Sequence, residues 1–308
     1  MPAPINIAGT ASPLMLYGGS VDLTTTSGSA GEYNPVKLLN PNNTPMLIDQ
    51  FRFCPIAAAS QSTILRDSLI RVGVNIALGS IPVTKNFITL GALTQRYMGP
   101  KDPGATAILS QQDAMVTYHL PKPLYVPPGV QINVRVQTLP GTVGAAMALH
   151  MTVAGRSLLR SVGTPKMIDV PWVAEARCND AVPVYVSNNN DLAAPGDGVL
   201  KLIGFNGYNL AVVENSLGTV PAPTPLTIQM TASNGTQIIR DPVPFQIMFP
   251  YDRGFFPCRS QLQPGEFITA ELQVNEQPTD TDDVAYCAYT AIAMHGYRQL
   301  QTPLGVRP

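Results

Sequence analysis

The stretch Pro127-Pro128-Gly129-Val130-Gln131-Ile132-Asn133-Val134-Arg135-Val136-Gln137 decides the fold class. On an extended chain Val130, Ile132, Val134 and Val136 fall on one side, and Gln131, Asn133, Arg135 and Gln137 on the other. Strict alternation of this kind marks a β-strand with one face buried and one wet. The Pro-Pro-Gly ahead of it reads as a turn in which Gly129 takes a positive φ that a side chain would resist. Beyond it, Leu139-Pro140-Gly141 reads as a loop and residues 146–154 as an apolar strand ending at Gly155-Arg156.

The same order returns downstream. Pro264-Gly265 precedes residues 266–273 (EFITAELQ), where Ile268, Ala270 and Leu272 repeat the alternation. A polar loop over 275–283, longer than its counterpart, leads to an apolar strand over 285–294 that ends at His295-Gly296. Ile228-Gln229-Met230 ahead of Asn234-Gly235 also echoes Val74-Asn75-Ile76 ahead of Gly79. Shared order over several elements implies one sheet domain present twice.

Composition agrees. The chain has 308 residues, enough for two sandwiches, and 45% of them are apolar, so each half can bury a core without staples. Thirty prolines and 25 glycines are dispersed between short apolar runs. Proline inside a helix costs about 3 kcal/mol, so this spacing suits many short strands and turns. The fold class is therefore all-β, with two tandem jelly-roll β-sandwiches and few short helices. The predicted division is an extended N-terminal arm (1–45, rich in Gly, Ser, Thr, Asn and Pro), a first roll (46–165), a connector (166–198) and a second roll (199–308). Short helices are predicted over 105–115 and, around the single Trp172, over 171–180. Residues 187–191 and 194–196 read as loops, and Asn206-Gly207 and Asn234-Gly235 as hairpin turns.

Only 13% of the residues are charged and the net charge is −1. A surface this poor in charge is badly insulated against association, which favours an exterior covered by neighbours. There is no run of Lys or Arg, and the first cation is Lys37, so the footprint for direct binding of nucleic acid is missing. No basic n-region with an apolar core opens the chain, and the near-apolar stretch 143–155 is too short to span a bilayer. Cys54, Cys178, Cys258 and Cys287 are scattered without a CxxC and read as reduced thiols in a cytosolic setting.

Catalytic signatures are missing as well. There is no phosphate loop, GxGxxG, nucleophile elbow or HExxH. His119, His150 and His295 lie far apart, each in or beside a predicted strand, and read as structural or surface side chains. Asp280, Asp282 and Asp283 read as a solvated loop in preference to a calcium site. Arg253, in the aromatic segment 250–257, reads either as a subunit contact or as a loop packed on its own domain. The expectation is no enzyme, no catalytic or metal-binding residue and no cofactor.

With its repeated strand sets at Pro128–Gly155 and Pro264–Gly296, the chain resembles the double jelly-roll major capsid proteins of tailless, icosahedral, membrane-containing bacteriophages. The resemblance is architectural and spans about residues 46–300. It implies a homotrimer whose six rolls form a near-hexagonal tile, packed against neighbouring capsomers in an icosahedral shell. It also implies minor capsid and vertex proteins as partners, an internal membrane or the shell interior on the side of the N-terminal arm, and a place in the virion after synthesis in the host cytoplasm. Two other readings are a trimeric virion spike or receptor-binding protein, without any visible fibrous stem, and a carbohydrate-binding or carbohydrate-active β-sandwich, against which the single Trp speaks.

Overall fold

The computed structural model describes residues 11–23, 32–40, 44–57, 72–94, 115–138, 147–158, 165–178, 187–212, 226–249, 254–274 and 287–302. They form seventeen strands, first β1 (Ala11–Leu23), β2 (Glu32–Leu39), β3 (Met46–Ala57), β4 (Val72–Leu78), β5 (Ile81–Pro82), β6 (Ile88–Thr89), β7 (Val116–Val126), β8 (Gln131–Thr138) and β9 (Met147–Leu158). Then come β10 (Met167–Cys178), β11 (Ser187–Ala193), β12 (Leu200–Val212), β13 (Leu226–Ala232), β14 (Gln237–Pro244), β15 (Phe255–Leu262), β16 (Phe267–Val274) and β17 (Cys287–Gln301). One-turn helices follow β6 (Leu90–Leu93) and β14 (Phe245–Met248).

The deciding strand behaves as read. In β8 the side chains of Ile132, Val134 and Val136 are fully buried, while Gln131, Asn133, Arg135 and Gln137 face outward. In β16 Ile268, Ala270 and Leu272 take the buried positions. Gly129 and Gly265, in the turns before them, have φ of 72° and 84°.

Four antiparallel sheets result. The first two run β1-β9-β3-β7 and β2-β8-β4-β5, with β6 also on β4; the others run β10-β17-β12-β15 and β11-β16-β13-β14. Matched in chain order, the second pair reproduces the first, with β5 and β6 together standing for β14. Each pair is a double-sheet jelly roll. The echo between 74–76 and 228–230 is thus the equivalence of β4 and β13, and Asn234-Gly235 is the turn after β13, with Gly235 at φ 83°.

The repeat extends to a detail of register. β3 slips by a residue against β9 between Ile48 and Gln50, and Ile48 faces Gly155. β12 slips against β17 between Leu202 and Gly204, and Leu202 faces Gly296. A Cβ on Gly155 would lie 2.0 Å from the Leu47 carbonyl oxygen, and one on Gly296 would lie 2.7 Å from that of Lys201. Each slip brings the backbones so close that the facing residue has no room for a side chain.

Several expectations need correction. Much of the predicted arm is sheet: β1 pairs with β9 and β2 with β8, so both complete the first roll. In β1 the inward positions are Leu14 and Leu16 before Gly18-Gly19, and Val21 and Leu23 after it, because pairing with β9 slips there. The slip changes the parity of the pattern and makes a strand look like a glycine-rich tail. The predicted helix over 171–180 is strand β10 as far as Cys178, paired with β17. Both its faces are covered, which leaves an apolar run without alternation. Residues 187–191 are strand, in β11, their main chain paired with β16. Asn206-Gly207 lies inside β12 and is no turn. The helix predicted over 105–115 falls outside the described residues, apart from Met115 at its end.

Candidate functional site: the seam between the rolls

The two rolls share a packed boundary. Along β17 the side chains alternate between cores: Ala291 and Ala293 join the core of the first roll, Ile292 and Met294 that of the second. The outer face of the β10-β17-β12-β15 sheet is covered by β7 and by the helix Leu90–Leu93. Main-chain bonds from Lys85 N to Val173 O (2.7 Å) and from Val173 N to Val83 O (3.0 Å) sew the first roll onto β10, an edge strand that would otherwise offer unpaired groups.

Buried polar side chains fasten this boundary. Glu175 of β10 accepts from the Thr89 backbone N–H at 2.9 Å through Oε2 and from the Thr89 hydroxyl through Oε1, while Arg177 Nε stands 3.6 Å from Oε2. The Tyr208 hydroxyl closes the group, 2.8 Å from Thr89 Oγ1 and 3.4 Å from Glu175 Oε1. Burial pushes the Glu175 carboxyl above the usual carboxylate range, opposed by the Arg177 charge and the donors of Thr89 and Tyr208. Burial, and then the neighbouring Glu175 charge, also raise Tyr208.

A second group centres on Asn206. Its amide donates to the carbonyls of Thr94 (2.5 Å) and Gly91 (3.4 Å), capturing the end of the first roll's helix, and its Oδ1 lies 2.6 Å from His295 Nε2. His295 is fully enclosed, with the Tyr118 ring at 5.8 Å and the Phe255 ring at 6.0 Å, and burial pulls its pKa down to about 4. Gly207 follows because a Cβ there would come within 2.7 Å of the Phe245 and Phe249 rings.

Arg298, also fully buried, makes the third fastening. Its guanidinium donates to Pro82 O of the first roll (2.9 Å) and pairs with Asp197 (2.7 Å). It lies 4.9 Å from the centre of the Trp172 ring. Planar, forked and permanently charged, an arginine can satisfy all of these partners at once.

The sequence singles out none of Thr89, Glu175, Tyr208 or Arg298, which come from distant strands and show no motif spacing, and it marks Asn206 only as part of a turn. Of the three histidines, only His295 enters this seam. His119 is exposed on β7, and His150 sits on the outer face of β9, bonded through Nδ1 to the Tyr17 hydroxyl at 2.9 Å. Asp280, Asp282, Asp283 and Arg253 lie outside the described residues. Among the described residues no three His, Cys, Asp or Glu side chains gather as a metal site, and no helix is long and apolar enough to cross a membrane. Cys54 and Cys258 are half-buried thiols. Most of the seam's polar groups bond one another, although among the described residues the Tyr118 hydroxyl and Arg177 Nη1 are buried without a hydrogen-bond partner, so the seam acts as a fastener between the two rolls.

No protein-family model matches the chain, and no curated protein matches it in sequence. Solved structures do match in shape. VP54 of PBCV-1, as fitted into a reconstruction of the virophage Sputnik, superposes with a TM-score of 0.54 at 9% identity, over 96% of this chain and 95% of that one. A chain from Sulfolobus Turreted Icosahedral Virus gives 0.46 at 12% identity over 94% and 91%, and the major capsid protein of bacteriophage PM2 gives 0.45 at 9% over 96% and 100%. Taken with the doubled strand order, the superposition on VP54 shows that this chain shares the fold of VP54, a double jelly roll.

Proposed function

We propose that the chain is a structural coat protein that assembles as a homotrimer into the shell of a tailless icosahedral virus of bacteria. The observation that carries this reading is one covered face and its uncovered twin. Within the chain, the outer face of the β10-β17-β12-β15 sheet is covered by the first roll. The equivalent face of the first roll, on β1-β9-β3-β7, is open, and exposes Met15 and Tyr17 at 62% each, with Ile56 on the same sheet.

The second roll carries the matching cover. Its helix Phe245–Met248 stands where Leu90–Leu93 stands in the first roll, and exposes Ile247 at 71%. Repeating the internal contact between chains would set Ile247 and the β15 edge of one chain on the open face of the next. Such a head-to-tail contact forms a ring if it closes, and three chains of two rolls give six units around the axis. A ring of six similar blocks tiles a shell, and its buried outer faces account for the low surface charge.

Light scattering of the purified chain tests this: the expected mass is three chains, with near-hexagonal blocks in electron micrographs. Tyr17→Asp and Ile247→Asp, both on exposed positions, should each shift the chain to monomer while its far-UV circular dichroism stays that of the β-fold. A monomeric wild-type chain, or trimers unaffected by both substitutions, would overturn the reading.

A further inference from the structure

The structure also holds an open groove of about 570 Å³ at the rim of the seam, lined by Pro121 and Lys122 of β7, Lys201 of β12, Arg259 and Gln261 of β15, and Tyr297 of β17. Register builds its floor: Lys201 lies across from Tyr297 on one side and from Gln261 on the other. Lys122 arrives from the first roll as a wall. Both ammonium groups lean on one aromatic ring, Lys122 Nζ at 5.5 Å and Lys201 Nζ at 5.7 Å from the centre of Tyr297. The ring face attracts cations and so holds two like charges together that would otherwise separate. Among the described residues no carboxylate lines the groove, and none of the three cations forms an ion pair.

We infer that this groove is a binding site for a multiply charged oxyanion of the phosphate class. Three cations from three strands converge on one concavity without an acidic partner, in a chain where acids and bases are nearly equal in number. Phosphate oxygens would take charge-assisted bonds from two point-charge lysines and the forked Arg259, with Gln261 as a neutral donor. The volume lies within the usual range for small-molecule sites and leaves room for an organic group beside the phosphates. These residues are far apart in sequence, so no basic run announces them. The inference makes no use of the trimer, although Arg259 and Gln261 lie on β15, the strand that the coat reading brings to the next chain.

Calorimetry with inorganic pyrophosphate tests it on the assembled protein. Wild type should bind saturably and melt at a higher temperature as pyrophosphate is added. Lys122→Ala, Lys201→Ala and Arg259→Ala should each weaken binding roughly tenfold, in line with the loss of one charge-assisted bond. Without pyrophosphate, the two lysine variants should melt close to wild type, because each loses a contact with the Tyr297 ring and a like-charge contact together. A second arm uses vesicles of phosphatidylglycerol against vesicles of phosphatidylcholine. Selective capture by the anionic vesicles, competed by pyrophosphate and lost in the variants, would identify the source as a lipid headgroup. Pyrophosphate binding without vesicle capture would identify a free solute. Absence of saturable binding to wild type, or binding unchanged in all three variants, would overturn the site.

Discussion

Acidification should loosen the seam through one side chain, His295. Its pKa falls from 6.5 to about 4 because the folded protein encloses the ring. A depressed folded value means that the stabilisation is present above 6.5 and is lost as pH falls toward 4. Each pKa unit is worth about 1.36 kcal/mol, so the loss between about pH 7 and about pH 4 is ~3 kcal/mol. Glu175, whose value is raised, acts in the opposite direction, and any further group adds its own contribution. Comparison with His295→Gln cancels these contributions, because glutamine keeps a nitrogen near Asn206 Oδ1 but binds no proton. Urea unfolding followed by the emission of Trp172, which stands in the seam against Arg298, gives the stability of both proteins across the pH range. Wild type should lose ~3 kcal/mol more than the variant on acidification. Parallel loss in the two proteins would refute the assignment of this pH dependence to the buried ring.

Further outcomes follow from the same contacts. Gly155→Ala and Gly296→Ala place a Cβ against backbone oxygens and should each cost about 2 kcal/mol, seen as a lower urea midpoint. An added Cβ at Gly129 or Gly265 meets no atom within 4 Å, so the strain in Gly129→Val and Gly265→Val comes from the positive φ; a loss of about 1–2 kcal/mol is expected from each, adding in the double variant, with a drop in trimer yield. Arg298→Lys keeps the charge but loses the fork and the stacking on Trp172, and should lower stability by about 2 kcal/mol with a shift in Trp172 emission.

The doubled fold was legible wherever one sheet face is wet. β8 and β16 alternate because water lies on one side of each, and the glycines before them report their turns. Legibility failed where both faces are covered or where parity changes. β10 lies between two cores and lost its period; β1 changes parity at Gly18-Gly19 and passed for a tail. Asn206-Gly207 carried a turn signature, yet serves a buried amide and a close aromatic contact. The seam left no sequence pattern because its polar groups meet only when β6, β10, β12 and β17 are already folded. The basic groove stayed unseen for the same reason.

That β17 feeds two cores has a consequence for synthesis on the ribosome. A nascent chain that has emerged through β9 holds every strand of the first roll, yet the patch around Tyr118 and Leu93 still lacks Ala291 and Ala293 as its lid. The first roll must therefore wait, greasy side outward, while more than a hundred further residues are translated. Slow codons or a holding chaperone in that interval would decide how much of the product reaches its final form.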